Sequence, residues 1–369
     1  MQFPHVDPIP IPAPVWLMKA LGLLTLSLHF FAVQALIGSL LVVCYLSLRG
    51  RAAKNETILT AAAVVARRLP IVMTYVINLG VPPLLFAQVL YGRALYTSSD
   101  LIAVSWIAVI PLLMACYWLL YRTSDRASRG EPVIWHALGA LAIAGSVGQI
   151  YSMNMTLMLR PETWQAMYAH TATGLQVPPH DPSMQPRWLF MMAGGLIVGG
   201  LWTAIHSNLR DLDVQVKMLL KRFGSGLALA GVIVEMGVGG LVHATQPDSV
   251  QQGLGTSYYE GTAGLWALGA LLVLLIAGYQ FASSKPSAAV AWAGATAAFL
   301  SIAGAVLYRD GIRDITLRAK GFDVWNRTEN SNWGVIGLFL VLFVAGLAAA
   351  AWLLRVMKQA KSVPEQVKL

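Results

Sequence analysis

Residues 16–48 read WLMKALGLLTLSLHFFAVQALIGSLLVVCYLSL, with one base, Lys19, one histidine, His29, and no acid. At about 1.5 Å per residue, a helix through this run exceeds the roughly 30 Å of hydrocarbon in a bilayer. It is long enough to tilt or protrude.

Eight more charge-poor apolar runs follow, at 69–92, 101–121, 133–158, 188–209, 223–243, 262–282, 288–308 and 334–354. Each approaches or exceeds the roughly 20 residues that a transmembrane helix needs. Of the 369 residues, 57% are hydrophobic and 12% charged, against roughly 45–50% and 25% in soluble domains. The expected fold class is therefore an all-α polytopic membrane protein of about nine transmembrane helices. Span 2 contains Pro70, Pro82 and Pro83, so a kink or a non-helical end is expected there. The opening MQFPHVDPIPIPAPVW lacks the basic start and small-residue cleavage site of a signal peptide. It reads as a retained proline-rich tail. The expected organisation is an outer tail at 1–15, a four-helix bundle at 16–158 and an outer loop at 159–187. A five-helix bundle follows at 188–354, with outer loops at 244–261 and 309–333, before a cytoplasmic tail at 355–369.

Charge gives the orientation. With residue 1 outside, the segments 49–68, 122–132, 210–222, 283–287 and the tail from 355 carry 17 of the 26 lysines and arginines. The positive-inside bias therefore places the N-terminus outside and the C-terminus in the cytoplasm. The net charge of +9 is dispersed, with no basic stripe interleaved with aromatics, which argues against a nucleic-acid partner. Only two cysteines occur, Cys44 and Cys116, both in apolar runs. They exclude a disulfide framework, a four-cysteine metal site and covalently attached haem c. The stripes AGGLIVGG at 193–200, GSG at 224–226 and GVGG at 237–240 allow either close helix contact or room for a flat cofactor. Close contact is the weightier reading.

Ionisable groups inside a bilayer are costly and so mark candidate sites. His29 in span 1 and Glu235 in span 6 both fall near mid-bilayer, while His136 and His206 fall at the cytoplasmic edge and His243 at the outer edge. A haem b in a membrane needs axial ligands projecting from helices, usually neutral imidazoles. His29 with Glu235 is one candidate pair, and His136 with His206 is another. The plainer readings are a hydrogen-bonded core histidine at 29 and solvated interfacial histidines at 136 and 206. Glu235 is expected to be protonated, paired or lining water, which leaves open a proton relay, a haem contact and a helix–helix hydrogen bond. The segment RDGIRDITLRAKGFDVW at 309–325 alternates bases with acids and places Arg309 and Arg313 on one helix face. With Asp310 and His243 it reads as an outer quinone site, where a guanidinium favours developing charge on a ring oxygen and an acid or imidazole takes the proton. The competing reading is a salt-bridged surface that docks a partner subunit.

Several stretches carry a family likeness. They include LSLHFFAVQALIGSLLVVCYLSLRGR at 26–51, MTYVINLGVPPLLFAQVLYGRALYTSS at 73–99, YSMNMTLMLRPETW at 151–164 and PRWLFMMAGGLIVGGLW at 186–202. Further on come HATQPDSVQQGL at 243–254 and GAVLYRDGIRD at 304–314. In this order they resemble the haem-bearing subunit I of the cytochrome bd quinol oxidases. The resemblance implies a nine-span, N-out scaffold with His29 at the place of the span 1 haem ligand. Where the family has its span 5 histidine ligand, this chain has Leu189 and Phe190. Its span 7 has no methionine, and 101–117 lacks the family's paired acids. The implied protein is a divergent relative that keeps the scaffold with one haem or one quinone site.

Two functions follow as expectations. The first is a membrane subunit of a respiratory electron-transfer complex in the bacterial cytoplasmic membrane. It would oxidise quinol at the outer face and pass electrons to a periplasmic multihaem cytochrome c or iron–sulfur partner, which carries the remaining cofactors. The alternative is a haem-free anchor or scaffold of such a complex. A transporter is the third class, but the proline break of span 2 has no counterpart in the other half, as inverted repeats would require.

Overall fold

The computed structural model describes residues 10–359, and every regular element among them is a helix. In chain order these are α1 (Val15–Ala52), α2 (Glu56–Ala66), α3 (Leu69–Leu101), α4 (Ala103–Ser128), α5 (Ile134–Leu157) and α6 (Pro161–His170). They continue as α7 (Met184–His206), α8 (Val214–Ala244), α9 (Asp248–Leu254), α10 (Ser257–Ala282), α11 (Ala288–Ala319) and α12 (Trp333–Gln359). Among the described residues, eight candidate spans are long and apolar enough to cross a membrane, with α2 running into α3 as one of them. The ninth expected span falls on α12, whose apolar stretch among the described residues is Trp333–Ala349. Most of the expected tails at 1–15 and 355–369 lies outside the described residues. Large apolar side chains such as Ile107, Ile110, Met114 and Trp118 on α4 face outward, as a lipid-facing surface requires.

The centre of the bundle is α1, which packs against α3 and α5 and also against α7 and α11. The glycine stripes make this possible. A Cβ at Gly38 would lie 1.8 Å from the Gly195 carbonyl oxygen and 2.6 Å from Gly199 Cα. Gly200 and Gly224 join α7 to α8 in the same way, each within 2.5 Å of the other's carbonyl oxygen if a Cβ were added. Close helix contact therefore accounts for 193–200 and 224–226. In the third stripe Gly239 receives the Trp266 ring, while Gly237 and Gly240 face open space.

Several expectations change. Pro70 sits in the first turn of α3, where its missing N–H costs nothing. The helix also continues through Pro82 and Pro83 and breaks only at Tyr91, with φ −124° and ψ 17°. That break coincides with the phenol being held by groups on α1 and α11, and Gly92 follows it. The cytoplasmic loop expected at 49–68 contains α2, capped by Asn55 accepting from Ile58 N at 3.1 Å. The outer loops at 159–187 and 244–261 contain α6 and α9. Span 8 does not stop near 308 but runs on to Ala319. Its polar residues Asp310, Arg313 and Asp314 are buried in protein contacts instead of meeting water.

The 309–333 segment and the start of α1 are stitched together. Ile11 N donates to Thr328 O at 2.8 Å, and Asn330 N donates to Ile11 O at 2.9 Å. Pro14 has no side-chain donor or acceptor to cap α1, and Glu329 caps it from across the chain by accepting from Val15 N at 2.9 Å. Next to it, Lys320 Nζ donates to Leu159 O at 2.8 Å and to Glu162 Oε2 at 2.7 Å, pinning α6. Partial burial works against the Glu162 charge, but the Lys320 hydrogen bond and the neighbouring Arg160 outweigh it and hold the carboxyl below its ordinary value.

Two outcomes are expected. Gly38→Val should lower stability by on the order of 3 kcal/mol through overpacking against backbone, whereas Gly240→Ala should stay within about 0.5 kcal/mol of the parent; thermal unfolding in one detergent compares them. Because the folded carboxyl of Glu162 lies below its usual 4.5, its contribution is complete above that value and is lost as pH falls through the lowered one. Amide exchange in α6 should accelerate in that acid window only. The effect should be small, because the Glu162 side chain is 54% exposed, and Glu162→Gln should abolish it.

Candidate functional site

Around the start of α1, four charged side chains meet in a nearly dry site. Lys19 is 3% exposed. Its ammonium donates to Tyr91 Oη at 2.8 Å and to Oδ2 of both Asp310 and Asp314 at 2.5 Å. The Tyr91 hydroxyl donates to Asp314 Oδ1 at 2.9 Å, and Trp325 Nε1 donates to Asp314 Oδ2 at 3.0 Å. Arg313 pairs with Asp310 one turn away and lays its guanidinium over the Tyr91 ring, 3.9 Å from the centroid. Two positive and two negative groups neutralise one another, and α1, α3 and α11 are tied by their contacts. Asp310 and Arg313, expected as catalytic, are thus engaged in holding helices together.

Arg309 stands apart from this balance. Among the described residues no hydrogen bond or ion pair reaches it, and its charged surroundings include Arg313 and Arg187. Arg187 Nη2 in turn donates to Gln246 Oε1 at 3.0 Å. His243, at the end of α8, has Nδ1 2.6 Å from the Tyr308 hydroxyl and is exposed. Asp310 and Asp181 lie in the field of Arg309 and Arg187 but pair with Lys19, Arg313 and Arg160, so the two arginines leave a surplus of positive charge beside the hydrogen-bonded His243–Tyr308 pair. The sequence does not single out Lys19, Tyr91, Trp325 or Arg187 as site residues, whereas Asp314 is expected beside Arg309 and Arg313. A lone lysine in 33 apolar residues was the available signal for Lys19; no local pattern singles out Tyr91.

Deeper in the bundle the candidates separate. His29 faces α3, with Nδ1 3.1 Å from Val76 O and the ring against Gly80. A carbonyl can only accept, so Nδ1 carries the proton. Glu235 opens instead on a small cavity shared with Gln34 of α1. His29 and Gln34 are five residues apart, roughly 140° around the helix, so the structure does not bring His29 and Glu235 to one site. His206 is 3% exposed, with Nδ1 2.6 Å from Trp202 O and the ring edge-on to the Trp202 indole. His136, partly exposed at the start of α5, has no hydrogen bond or ring contact with His206 among the described residues. No group of three or more His, Cys, Asp or Glu there is placed to hold a metal ion.

Phe190 of α7 and Trp266 of α10 pack ring to ring, with centroids 5.9 Å apart. Both rings also cover Gly239 of α8, where an added Cβ would lie 2.6 Å from the indole and 3.4 Å from the phenyl. One aromatic pair thus bridges these three helices.

Lys19→Met should cost about 3–5 kcal/mol, since it leaves Asp314 buried without a counter-charge. Adding Asp314→Asn restores neutrality and should recover part of that loss in thermal unfolding. A Lys19→Met variant as stable as the parent would refute the role assigned to the network.

No protein-family model matches this sequence, and no curated protein matches it either. The fold does have a solved counterpart, the structure of bd oxidase from Geobacillus thermodenitrificans. The two superpose with a TM-score of 0.68 at 12% sequence identity, over 96% of this chain and 100% of that chain. At that identity the likeness is one of architecture: this chain is a polytopic helical membrane protein with the fold of a bd oxidase chain.

Proposed function

We propose that this chain is a scaffold subunit of a respiratory electron-transfer complex, using the bd oxidase fold as a helical frame without a haem between α7 and α10. It lies in the bacterial cytoplasmic membrane with its N-terminus outside, as the distribution of 17 of 26 basic residues favours. Its partners are a periplasmic cytochrome c or iron–sulfur subunit that carries the redox groups.

The observation that carries this reading is the Phe190–Trp266 contact. In the family that the sequence resembles, a span 5 histidine reaches a haem at the position of Leu189 and Phe190. Here Phe190 packs against Trp266 across α7 and α10, and neither Leu189 nor Phe190 offers an imidazole. His29 is one imidazole held to α3, and the charged residues at the start of α1 serve the internal network. What such a chain offers partners is a rigid apolar frame and a loop-covered outer end.

A second reading rests on the surplus charge at Arg309 and Arg187. A quinol lying there at headgroup depth would meet a guanidinium beside its ring oxygen and the His243–Tyr308 pair as proton acceptor.

The purified chain, alone and with its partners, decides between them. A pyridine haemochrome assay on the single chain should show no haem b, and His29→Ala should leave the spectrum of the assembled complex unchanged. A Soret band that disappears with His29→Ala would overturn the scaffold reading in favour of a haem-bearing subunit. Arg309→Ala should leave quinol turnover of the complex intact if the chain is a scaffold. A loss of turnover with assembly preserved would establish the quinol site instead.

A further inference from the structure

Arg187 and Arg309 are two guanidiniums whose neighbouring acids are taken by other groups. Asp181 accepts from Ser183 N and Oγ and pairs with Arg160, and Asp310 pairs with Lys19 and Arg313. Among the described residues no hydrogen bond or ion pair reaches Arg309, and the Arg187 side chain has one neutral acceptor, Gln246 Oε1. Both side chains are half-buried. A charge taken partly out of water needs a counter-charge.

A run of hydrogen bonds sets where the two arginines stand. Gln246 holds Arg187 of α7 and donates through Nε2 to Val242 O of α8 at 2.6 Å. One residue on, His243 Nδ1 lies 2.6 Å from the hydroxyl of Tyr308 on α11, the chain neighbour of Arg309. Arg187 in turn lies in the electrostatic field of Arg309. With Nδ1 accepting from the phenol, His243 Nε2 keeps its proton, and no described group accepts it. No side chain caps α7 at Ser183, so the positive end of its helix dipole adds to the same field.

Depth selects the kind of anion. Arg309 lies about 32 Å along α11 from Ala288, close to the thickness of the hydrocarbon. Arg187 and His243 lie in the first turn of α7 and the last turn of α8. The cluster is therefore at headgroup level. Leu189 and Leu241, close along their helices to Arg187 and His243, are 42% and 52% exposed and face lipid. An acyl chain can lie along them while a phosphate meets the guanidinium forks.

We propose that Arg187, Arg309 and His243 bind the phosphate of an anionic phospholipid at the Lys19 end of α7, α8 and α11. The phosphate supplies the counter-charge that the protein withholds from both arginines. The inference stands apart from the scaffold reading, because the isolated chain binds the lipid. It takes a charged ligand at the arginines where the quinol reading takes a neutral one.

Native mass spectrometry of the delipidated full chain in detergent tests it, with phosphatidylglycerol, phosphatidylcholine and inorganic phosphate as probes. Phosphatidylglycerol should bind more tightly than phosphatidylcholine. Arg187→Gln and Arg309→Gln should each weaken it about tenfold, and Lys54→Gln, in the exposed turn after α1, should leave it unchanged. Thermal unfolding separates a ligand-binding arginine from a structural one. Without lipid, Arg309→Gln should unfold no lower than the parent, because it removes an unpaired charge, and phosphatidylglycerol should raise the Tm of the parent but not of the variant. Equal binding of the two lipids, or unchanged binding in both arginine variants, would overturn the proposal. So would an Arg309→Gln chain that unfolds well below the parent or fails to fold. Inorganic phosphate giving the full Tm shift by itself would overturn the lipid as the source of the anion.

Discussion

One buried ammonium organises the Lys19 end of this protein. Lys19 emerges from α1 into a site where water cannot solvate it, and a lone charge there costs several kcal/mol or more. It is tolerated because two aspartates from α11 and a phenol from α3 converge on it at 2.5–2.8 Å. That convergence has structural consequences well beyond the pair. It requires α11 to stay helical past the membrane-spanning part so that Asp310 and Asp314, one turn apart, face the same ammonium. It also accompanies the departure of α3 from helical geometry at Tyr91, whose hydroxyl reaches the same centre.

The same network sorts the charged residues of α11 into two kinds. Arg313 is matched by Asp310 and stacked on Tyr91, and its charge is used up locally. Arg309, one turn earlier, lies in the field of Arg313 and Arg187 as well as Asp310, whose carboxylate is already paired with Lys19 and Arg313. Arginines four residues apart on one helix face look equivalent in sequence. Their difference comes from α1 and α3, which arrive from hundreds of residues away and supply the rest of the charge balance.

How much could be read from the sequence follows from where each signal resides. The spans were legible because an unbroken run of roughly 20 apolar residues is long enough to cross the hydrocarbon and seldom occurs elsewhere. The glycine stripes were legible because small residues permit close helix contact. Short helices such as α2, α6 and α9 carry no such run, so they passed as loops. The kink expected in span 2 is present, but at Tyr91 beside its tertiary partners, while Pro82 and Pro83 are absorbed within α3. His29 and Glu235 fall at similar depth by residue count, but depth does not specify rotation about the helix axis. Their faces diverge: one meets α3 and the other meets the α7–α8–α10–α11 interior. Lys19 was visible as an anomaly, yet its position near a helix start also suits a snorkelling side chain, and only the aspartates distinguish the two.

The architecture of this fold is held by residues that carry no chemistry. The frame depends on backbone contacts, Gly38 against Gly195 and Gly199, and Gly200 against Gly224. None of these involves a group that binds or transfers anything. A fold fixed in this way does not by itself specify an activity.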